Sequence, residues 1–277
     1  MVIKNALSNV LWHMDMYRRL IAVQIRSQMG YRLSFWMDLL STTGNAVVFF
    51  SVMLVLQRFG GIAGWSLWEI AFLYGMIEAS FGVMDMIFSG FDPDFFSDHI
   101  RQGSLDQLLL RPVGITWQVL GSQFLLRRFG RILEGLAIFV FSLSQVQIDW
   151  TLEKLLYLPV VFASQVLAMG GLFIAGSTLT FWTIQRPEAI NILTYGGADM
   201  MSYPMQIYPV WMQRFFTFII PFIFLNFYPA LYFLGKPDPL GFPTFAPFLT
   251  PFVALALFAG ALMFWKFGIN HYQSSGS

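Results

Sequence analysis

The sequence predicts an all-α integral membrane protein with six transmembrane helices. Of its 277 residues, 57% are hydrophobic and 11% are charged, against roughly 25% charged residues in an ordinary soluble domain. The apolar residues are gathered in runs of about 20, the length of helix that crosses a hydrocarbon core about 30 Å thick. A soluble enzyme and a disordered scaffold are therefore excluded as default classes.

Residues 1–32 are predicted to form an amphipathic helix that lies in the membrane interface. Apolar residues recur at three- and four-residue spacing from Val10 to Ile25, as on one face of a helix. Arg18, Arg19 and Arg26 would reach from this helix to the lipid headgroups. The helix is either a plain membrane anchor or an element that moves during function.

Residues 33–270 are predicted to form one transmembrane domain, followed by a tail at 271–277. Five runs are expected to be spans: 33–56, 67–88, 131–146, 155–182 and 247–267. The remaining crossing is either 188–208 or 214–234. In the first case the proline-marked segment 209–235 forms a re-entrant extracellular hairpin before the last span. In the second case 188–208 lies in the interface.

The positive charges predict the orientation of these spans. Twelve of the sixteen Lys and Arg residues precede the first span, lie between the second and third, or follow the fourth and sixth. Because cytoplasmic loops carry the excess of Lys and Arg, both termini are expected in the cytoplasm. The net charge of +1 offers no global field that would recruit nucleic acid.

The loop at 89–130 is expected on the cytoplasmic side, and its sequence predicts two short helices. The expected caps are Asp94 or Ser97 for the first helix and the Ser104–Asp106 segment for the second, with Gly103 as the break between them. The expected apolar ridge consists of Ile100, Leu105, Leu108 and Leu109. This ridge either docks onto a partner protein or packs against the underside of the bundle.

Two stretches resemble type-2 ABC transporter permeases. The run IRQGSLDQLLLRP at 100–112 is similar to the loop after their second span, and IPFIFLNFYPALYFLG at 220–235 is similar to the hairpin before their last span. Within this family the chain most resembles a branch of bacterial permeases that includes viologen-type and multidrug-type exporters. The resemblance implies a location in the bacterial inner membrane.

The resemblance also implies partners and a coupling site. Two permease subunits, identical or paralogous, would each rest on a cytoplasmic ATPase subunit that binds ATP and Mg. This chain would carry no cofactor, would not itself be an enzyme, and would move a hydrophobic or amphipathic substrate outward, with cationic substrates among the candidates. The implied coupling residues are Asp98, Arg101, Leu105, Asp106, Leu108 and Arg111.

The residues themselves agree with a separate energy source. The sequence has no Gly-x-x-x-x-Gly-Lys-Ser/Thr phosphate loop, no Cys, and three widely separated His, so neither an ATP site nor a metal site is predicted. The alternative function is a secondary transporter driven by an ion gradient. A carrier of that kind needs no docking helix in a cytoplasmic loop.

Charged residues inside the spans are candidates for the cargo path. An intramembrane charge costs about 2.5 to 3.5 kcal/mol on insertion scales. Glu78 and Asp85 are seven residues apart and so lie on nearly one face of the second span. Glu78 is either a structural partner of a neighbouring helix or part of a path for cations. Glu134 is expected to pair with Arg131 on its own helix, and the many aromatic rings are expected mostly to face lipid or to form interfacial belts.

Overall fold

The structure, a computed structural model, describes residues 2–28, 32–58, 62–183 and 188–272. As the sequence predicts, the described residues are mainly α-helical. Residues 273–277 of the expected tail lie outside the described residues. The helices are α1 (Val2–Gln28), α2 (Arg32–Arg58), α3 (Leu67–Phe88), α4 (Pro93–Arg101), α5 (Ser104–Leu109), α6 (Ile115–Ser122), α7 (Phe129–Gln145), α8 (Leu152–Thr183), α9 (Glu188–Met201), α10 (Val210–Phe218), α11 (Phe227–Leu234) and α12 (Thr250–His271).

The bounds of α3 agree with the predicted second span because its first turn carries a capping box. The Ser66 side chain accepts the backbone N–H of Glu69, and the Glu69 carboxylate accepts the N–H of Ser66 at 2.7 Å. Beyond α3, a 3-10 turn leads directly into α4, so that Leu67–Arg101 is a helical stretch of 35 residues. At 1.5 Å per residue this is about 50 Å, so α4 extends well beyond a hydrocarbon core of about 30 Å.

Three helical stretches of the described residues are long and apolar enough to cross a membrane: Leu67–Arg101, Leu152–Thr183 and Ala246–His271. A fourth is added if α10 and the segment Phe222–Leu234, which are bent by 78° relative to each other, are counted as one broken span. The helix α7 has 17 residues. The expected total of six crossings therefore stays a prediction.

The segment 188–234 contains both candidates for the remaining crossing, and neither is one continuous helix. The helix α9 ends at Met201, before Pro204, so 188–208 is not one continuous helix. The run 214–234 is interrupted between Phe218 and Phe222, where Pro221 has no N–H to continue the helix. Both stretches are thus broken by proline.

The bundle has two distinct ends. The loop end carries α4, α5 and α6, and the hairpin end carries α10 and α11. At the hairpin end, Lys154 in the first turn of α8 donates to the carbonyl of Phe233 at 3.1 Å. At the loop end, Phe181 of α8 packs against Trp265 of α12, with ring centroids 5.4 Å apart. The helices α3, α8 and α12 therefore run in parallel from the hairpin end to the loop end.

Phenylalanine rings fill much of the interior, and the expectation that most aromatic residues face lipid is wrong for them. Trp65, just before α3, is also buried, and its ring lies 5.9 Å from that of Phe227. The sequence cannot separate these positions, because lipid and protein interior are equally apolar. Trp150, Trp182 and Trp211 are exposed, as belt residues are. Among the described residues, the fully buried phenylalanine rings include Phe72, Phe81, Phe91, Phe96, Phe173, Phe222 and Phe233.

Candidate functional site

The segment 89–130 forms three short helices rather than the predicted two. Asp92 caps α4 by accepting the N–H of Asp94 at 2.9 Å, so the expected caps at Asp94 or Ser97 are wrong. Gly103 precedes α5 with φ of +65° and no side-chain cap, so the expected Ser104–Asp106 cap is also wrong. A left-handed residue suits glycine, and it sets the sharp turn between α4 and α5. The third helix, α6, has no counterpart in the prediction.

The apolar ridge of this loop is divided between the interior and the surface. Ile100 and Leu105 are 3% and 1% exposed and belong to the core, and Leu108 packs against it. Leu109 is exposed, and Leu110, which was not assigned to the ridge, is 87% exposed. Ile100 and Leu105 therefore pack on the bundle's own underside, whereas the C-terminal end of α5 forms an outward apolar surface.

The charged residues that the sequence predicts for coupling lie at or near the surface. Asp98 and Arg101 form an exposed ion pair of 2.7 Å, one turn apart on α4. Arg111 is exposed just after α5, beside Leu110. Asp106 is half-buried and lies within electrostatic range of Tyr272, at the end of α12. The structure thus places Arg111 beside the exposed end of α5, and Asp106 toward the bundle.

An aromatic cluster, which sequence reasoning missed, fixes the loop to the transmembrane helices. Trp265 of α12 lies 5.0 Å from the ring of Phe91 and 5.2 Å from that of Phe96, both edge-on. Its indole Nε1 donates to Thr116 Oγ1 of α6 at 3.1 Å. Phe181 of α8 completes the cluster, 5.6 Å from Phe96. Edge-to-face pairs of this kind add about 0.5 to 1.5 kcal/mol each beyond their buried area.

The helix α1 also packs on this loop. Gln24 donates to the carbonyl of Ser122 at 2.6 Å, and Gln28 accepts the N–H of Leu126 at 2.9 Å. Burial raises the pKa of Tyr17 to about 12. The predicted interfacial residues Arg18, Arg19 and Arg26 are exposed, and the first two pair with Asp15. One face of α1 thus contacts α6 and the following connection, and the arginines face away from it.

The two intramembrane carboxylates of α3 are both held by arginines. Arg131 binds Glu78 through two hydrogen bonds, with Nη2 to Oε1 at 2.8 Å, and its guanidinium lies 4.3 Å from the centre of the Phe81 ring. Arg128 lies 2.8 Å from Asp85, which is fully buried. The expected pair of Glu134 with Arg131 is wrong, because Arg131 points across to α3.

Glycines bring α3 and α7 close enough for these ion pairs. A Cβ at Gly75 of α3 would lie 2.5 Å from the backbone nitrogen of Phe139, and one at Gly135 of α7 would overlap the backbone of Ala79. These contacts pair residues in opposite order along the two helices, so α3 and α7 are antiparallel. Close backbone approach through small residues is the usual way in which membrane helices associate.

A buried polar network, also missed by the sequence analysis, fixes the hairpin to the bundle. Asn226, between Phe222 and α11, donates to the carbonyls of Leu73 and Met201 at 3.1 and 2.7 Å. Its oxygen accepts Gln165 Nε2 of α8 at 2.8 Å, and Gln165 accepts Ser80 Oγ at 2.6 Å. The amide groups of Asn226 and Gln165 thus find partners, as buried polar groups require.

Among the described residues, no three His, Cys, Asp or Glu side chains are close enough together to hold a metal ion. A family model described as ABC-2 family transporter protein matches residues 43–276 of the chain. No curated protein and no solved structure matches the chain. The family match begins within α2 and covers all of the described residues that follow, including the loop, the hairpin and the ion-paired helices.

Proposed function

Because the chain belongs to the ABC-2 family of transporter proteins, we propose that it is the permease subunit of an exporter driven by a separate ATPase. Family membership makes it a membrane component of an ABC-type transporter. The proposed direction of transport is outward, and the substrate is hydrophobic or amphipathic. The proposed complex contains two ATPase subunits and a second permease subunit, which is identical or paralogous.

The proposed topology has six crossings: α2, α3, α7, α8, α9 and α12. The parallel directions of α3, α8 and α12, with α7 running the opposite way, support this order. The segment from α10 to α11 would be the re-entrant hairpin, because its sharp bend stays at one end of the bundle. With the loop end in the cytoplasm of a bacterial cell, both termini would be cytoplasmic and the hairpin would face outward.

The observation that carries the coupling proposal is the exposed end of α5 on a loop that is otherwise fixed. Leu109, Leu110 and Arg111 are exposed, whereas the opposite side of the loop is held by Trp265. Burying one leucine against a partner stabilises the contact by roughly 1.5 to 3 kcal/mol. Leu110 and Arg111 would contact the ATPase, and Leu105 would support them from inside.

The same arrangement gives a path for mechanical coupling. A displacement of α5 by the ATPase would act through α6 and α4 on Trp265, and through Trp265 on the ends of α8 and α12. Asp106, facing Tyr272, would add a second contact between α5 and α12. Asp98 and Arg101, already paired with each other, would contribute a polar rim.

An ion-gradient-driven carrier is less well supported. Such a carrier needs a carboxylate that gains and loses a proton during the cycle. Glu78 and Asp85, the two candidates from the sequence, are each already engaged by an arginine, Arg131 and Arg128.

The test is co-purification from the native membrane in mild detergent. The wild-type chain is expected to bring an ATPase with a phosphate loop, and Leu110→Asp is expected to lose it while the membrane part stays folded. Gln147→Asp is the matched control, since it adds the same charge at an exposed position between α7 and α8. Recovery of the wild-type chain without an ATPase in several detergents, or full retention of the ATPase by Leu110→Asp, would contradict the proposal.

A further inference from the structure

An apolar groove between α2 and α7 contains an acidic side chain. Its volume is about 510 Å³, within the range of small-molecule sites, about 300 to 1,000 Å³. Val47, Leu54 and Leu133 on its walls are exposed, so the groove is open to the outside of the bundle. Its lining includes Ala46, Val47, Phe50, Leu133, Glu134 and Ala137.

Glu134 is the charged residue among the lining residues of this groove. Within the described part of the chain, its hydrogen bond comes from the Tyr74 hydroxyl at 3.3 Å. A carboxylate has about four acceptor sites on its two oxygens, so acceptor capacity remains toward the groove. Arg131, one turn earlier on α7, is occupied by Glu78.

Three carboxylates lie within electrostatic range of one guanidinium. Glu78 and Glu134 are both within electrostatic range of the single guanidinium of Arg131, and Asp199 of α9 interacts with the same pair. Within the described residues, Arg131 donates its hydrogen bonds to Glu78 rather than to Glu134 or Asp199. An unmatched carboxylate in an apolar surrounding is costly, and a bound cation would offset this cost.

Aromatic rings beside the carboxylate favour the same kind of ligand. Phe50 lines the groove and lies 6.5 Å from the ring of Tyr74, edge-on. Phe49 lies 3.9 Å from Tyr74. Aromatic faces attract cations, and the attraction is strongest where water is excluded. The walls would hold an apolar body while Glu134 and the rings hold the charge.

We propose that the groove between α2 and α7 binds amphipathic cations that enter from the bilayer, with Glu134 as their counterion. The occupant is a free amphipathic cation rather than a resident lipid or a second copy of the chain. This inference rests on the proposed transport function and moves the cargo-binding carboxylate from Glu78 to Glu134. Glu134 holds the charge of the ligand, and Ser51 and Ala137 leave room for its apolar body.

The test measures binding of tetraphenylphosphonium by equilibrium dialysis. The purified protein, with whatever subunits accompany it, is held in dodecyl maltoside, whose headgroup is uncharged, and protein-free micelles give the background. Dodecyltrimethylammonium is the cationic competitor, and dodecyldimethylamine oxide at pH 8 is its net-neutral counterpart. The test variants are Glu134→Gln, Glu134→Asp and Ser51→Trp, the last of which fills the groove. The control is Asp149→Asn, which removes one exposed negative charge outside the groove.

Saturable binding is expected for the wild type, for Glu134→Asp and for Asp149→Asn, with displacement by the cationic competitor only. Loss of the carboxylate charge in Glu134→Gln is expected to weaken binding by about tenfold or more, since charge pairs are strong in an apolar site. Ser51→Trp is expected to weaken it as well. Thermal unfolding of each variant checks that it is folded.

Three results would overturn the inference. The first is an absence of saturable binding to the wild type, and the second is wild-type affinity in Glu134→Gln. The third is a change from dimer to monomer in Ser51→Trp with unchanged binding, which would assign the groove to a second copy of the chain. The binding assay needs no ATP, so its outcome is separate from co-purification of the ATPase. If Glu134→Gln loses binding but no ATPase co-purifies with the chain, the binding site is supported and the exporter proposal is contradicted.

Discussion

Arg131 of α7 binds both carboxylate oxygens of Glu78 on α3, with Nη2 at 2.8 Å from Oε1. Closer to the loop end of the bundle, Arg128 lies 2.8 Å from Asp85 of α3. Together with the glycine contacts between the two helices, these pairs make α3 and α7 one packed unit. Glu78 thus lies in an ion pair with a neighbouring helix, as the first of the two roles that its position in the sequence allows would require.

Glu78→Gln is expected to destabilise the transmembrane domain. The change leaves the guanidinium of Arg131, which is largely buried, without its counterion. Breaking a buried pair by removing one partner costs on the order of 3 kcal/mol, so the midpoint of thermal unfolding in detergent should fall. Replacement of the pair by apolar residues, Glu78→Leu with Arg131→Met, should recover most of the loss. A melting temperature for Glu78→Gln equal to that of the wild type would contradict this role.

Gly135→Ala is expected to separate α3 from α7. The added methyl group would overlap the backbone of Ala79, which cannot move without shifting the whole helix. Overpacking of this kind costs about 2 kcal/mol, and the thermal midpoint measures it. Gly260→Ala is the matched control, because a Cβ at Gly260 of α12 meets nothing within 4 Å. The control should keep the wild-type midpoint, and equal losses in both variants would argue against the close contact.

The sequence predicts the helices well and their partners poorly. The bounds of α3 follow from the Ser66 and Glu69 capping pattern and an apolar run, both of which are local. The partner of Arg131 is not local. Residue spacing favours Glu134 on the same helix, but the close approach of α3 places Glu78 nearer, and that approach depends on glycines in two separate helices.

The hairpin shows the same limit. Its prolines predict a break, and the chain does break between Phe218 and Phe222. What holds the broken segment in place is Asn226, whose partners Leu73, Gln165 and Met201 come from three other helices. A lone asparagine in an apolar run carries no sign of those partners, so only the structure reveals the network.

Asn226→Leu is expected to loosen the hairpin. The change removes the amide that donates to the carbonyls of Leu73 and Met201. It also removes one of the two acceptors of the Gln165 amide, which keeps the carbonyl of Leu225. Unsatisfied buried groups cost about 1 to 3 kcal/mol each. Hydrogen exchange in residues 219–235 should therefore accelerate by about tenfold or more. Gln145→Leu, at an exposed position at the end of α7, is the control. Unchanged exchange in Asn226→Leu would show that the network does not hold the hairpin.

Trp265→Phe is expected to weaken the connection between the loop and α12 while keeping the aromatic packing. The phenyl ring retains contacts with Phe91 and Phe96 but loses the indole N–H that donates to Thr116. A neutral hydrogen bond contributes about 1 kcal/mol, so exchange of the amides in α6 should rise by about fivefold. Thr116→Val removes the acceptor from the other side. If the bond is the connection, the double variant should exchange no faster than either single variant, because both remove the same interaction. Additive effects would mean that Trp265 and Thr116 act on the loop through different contacts.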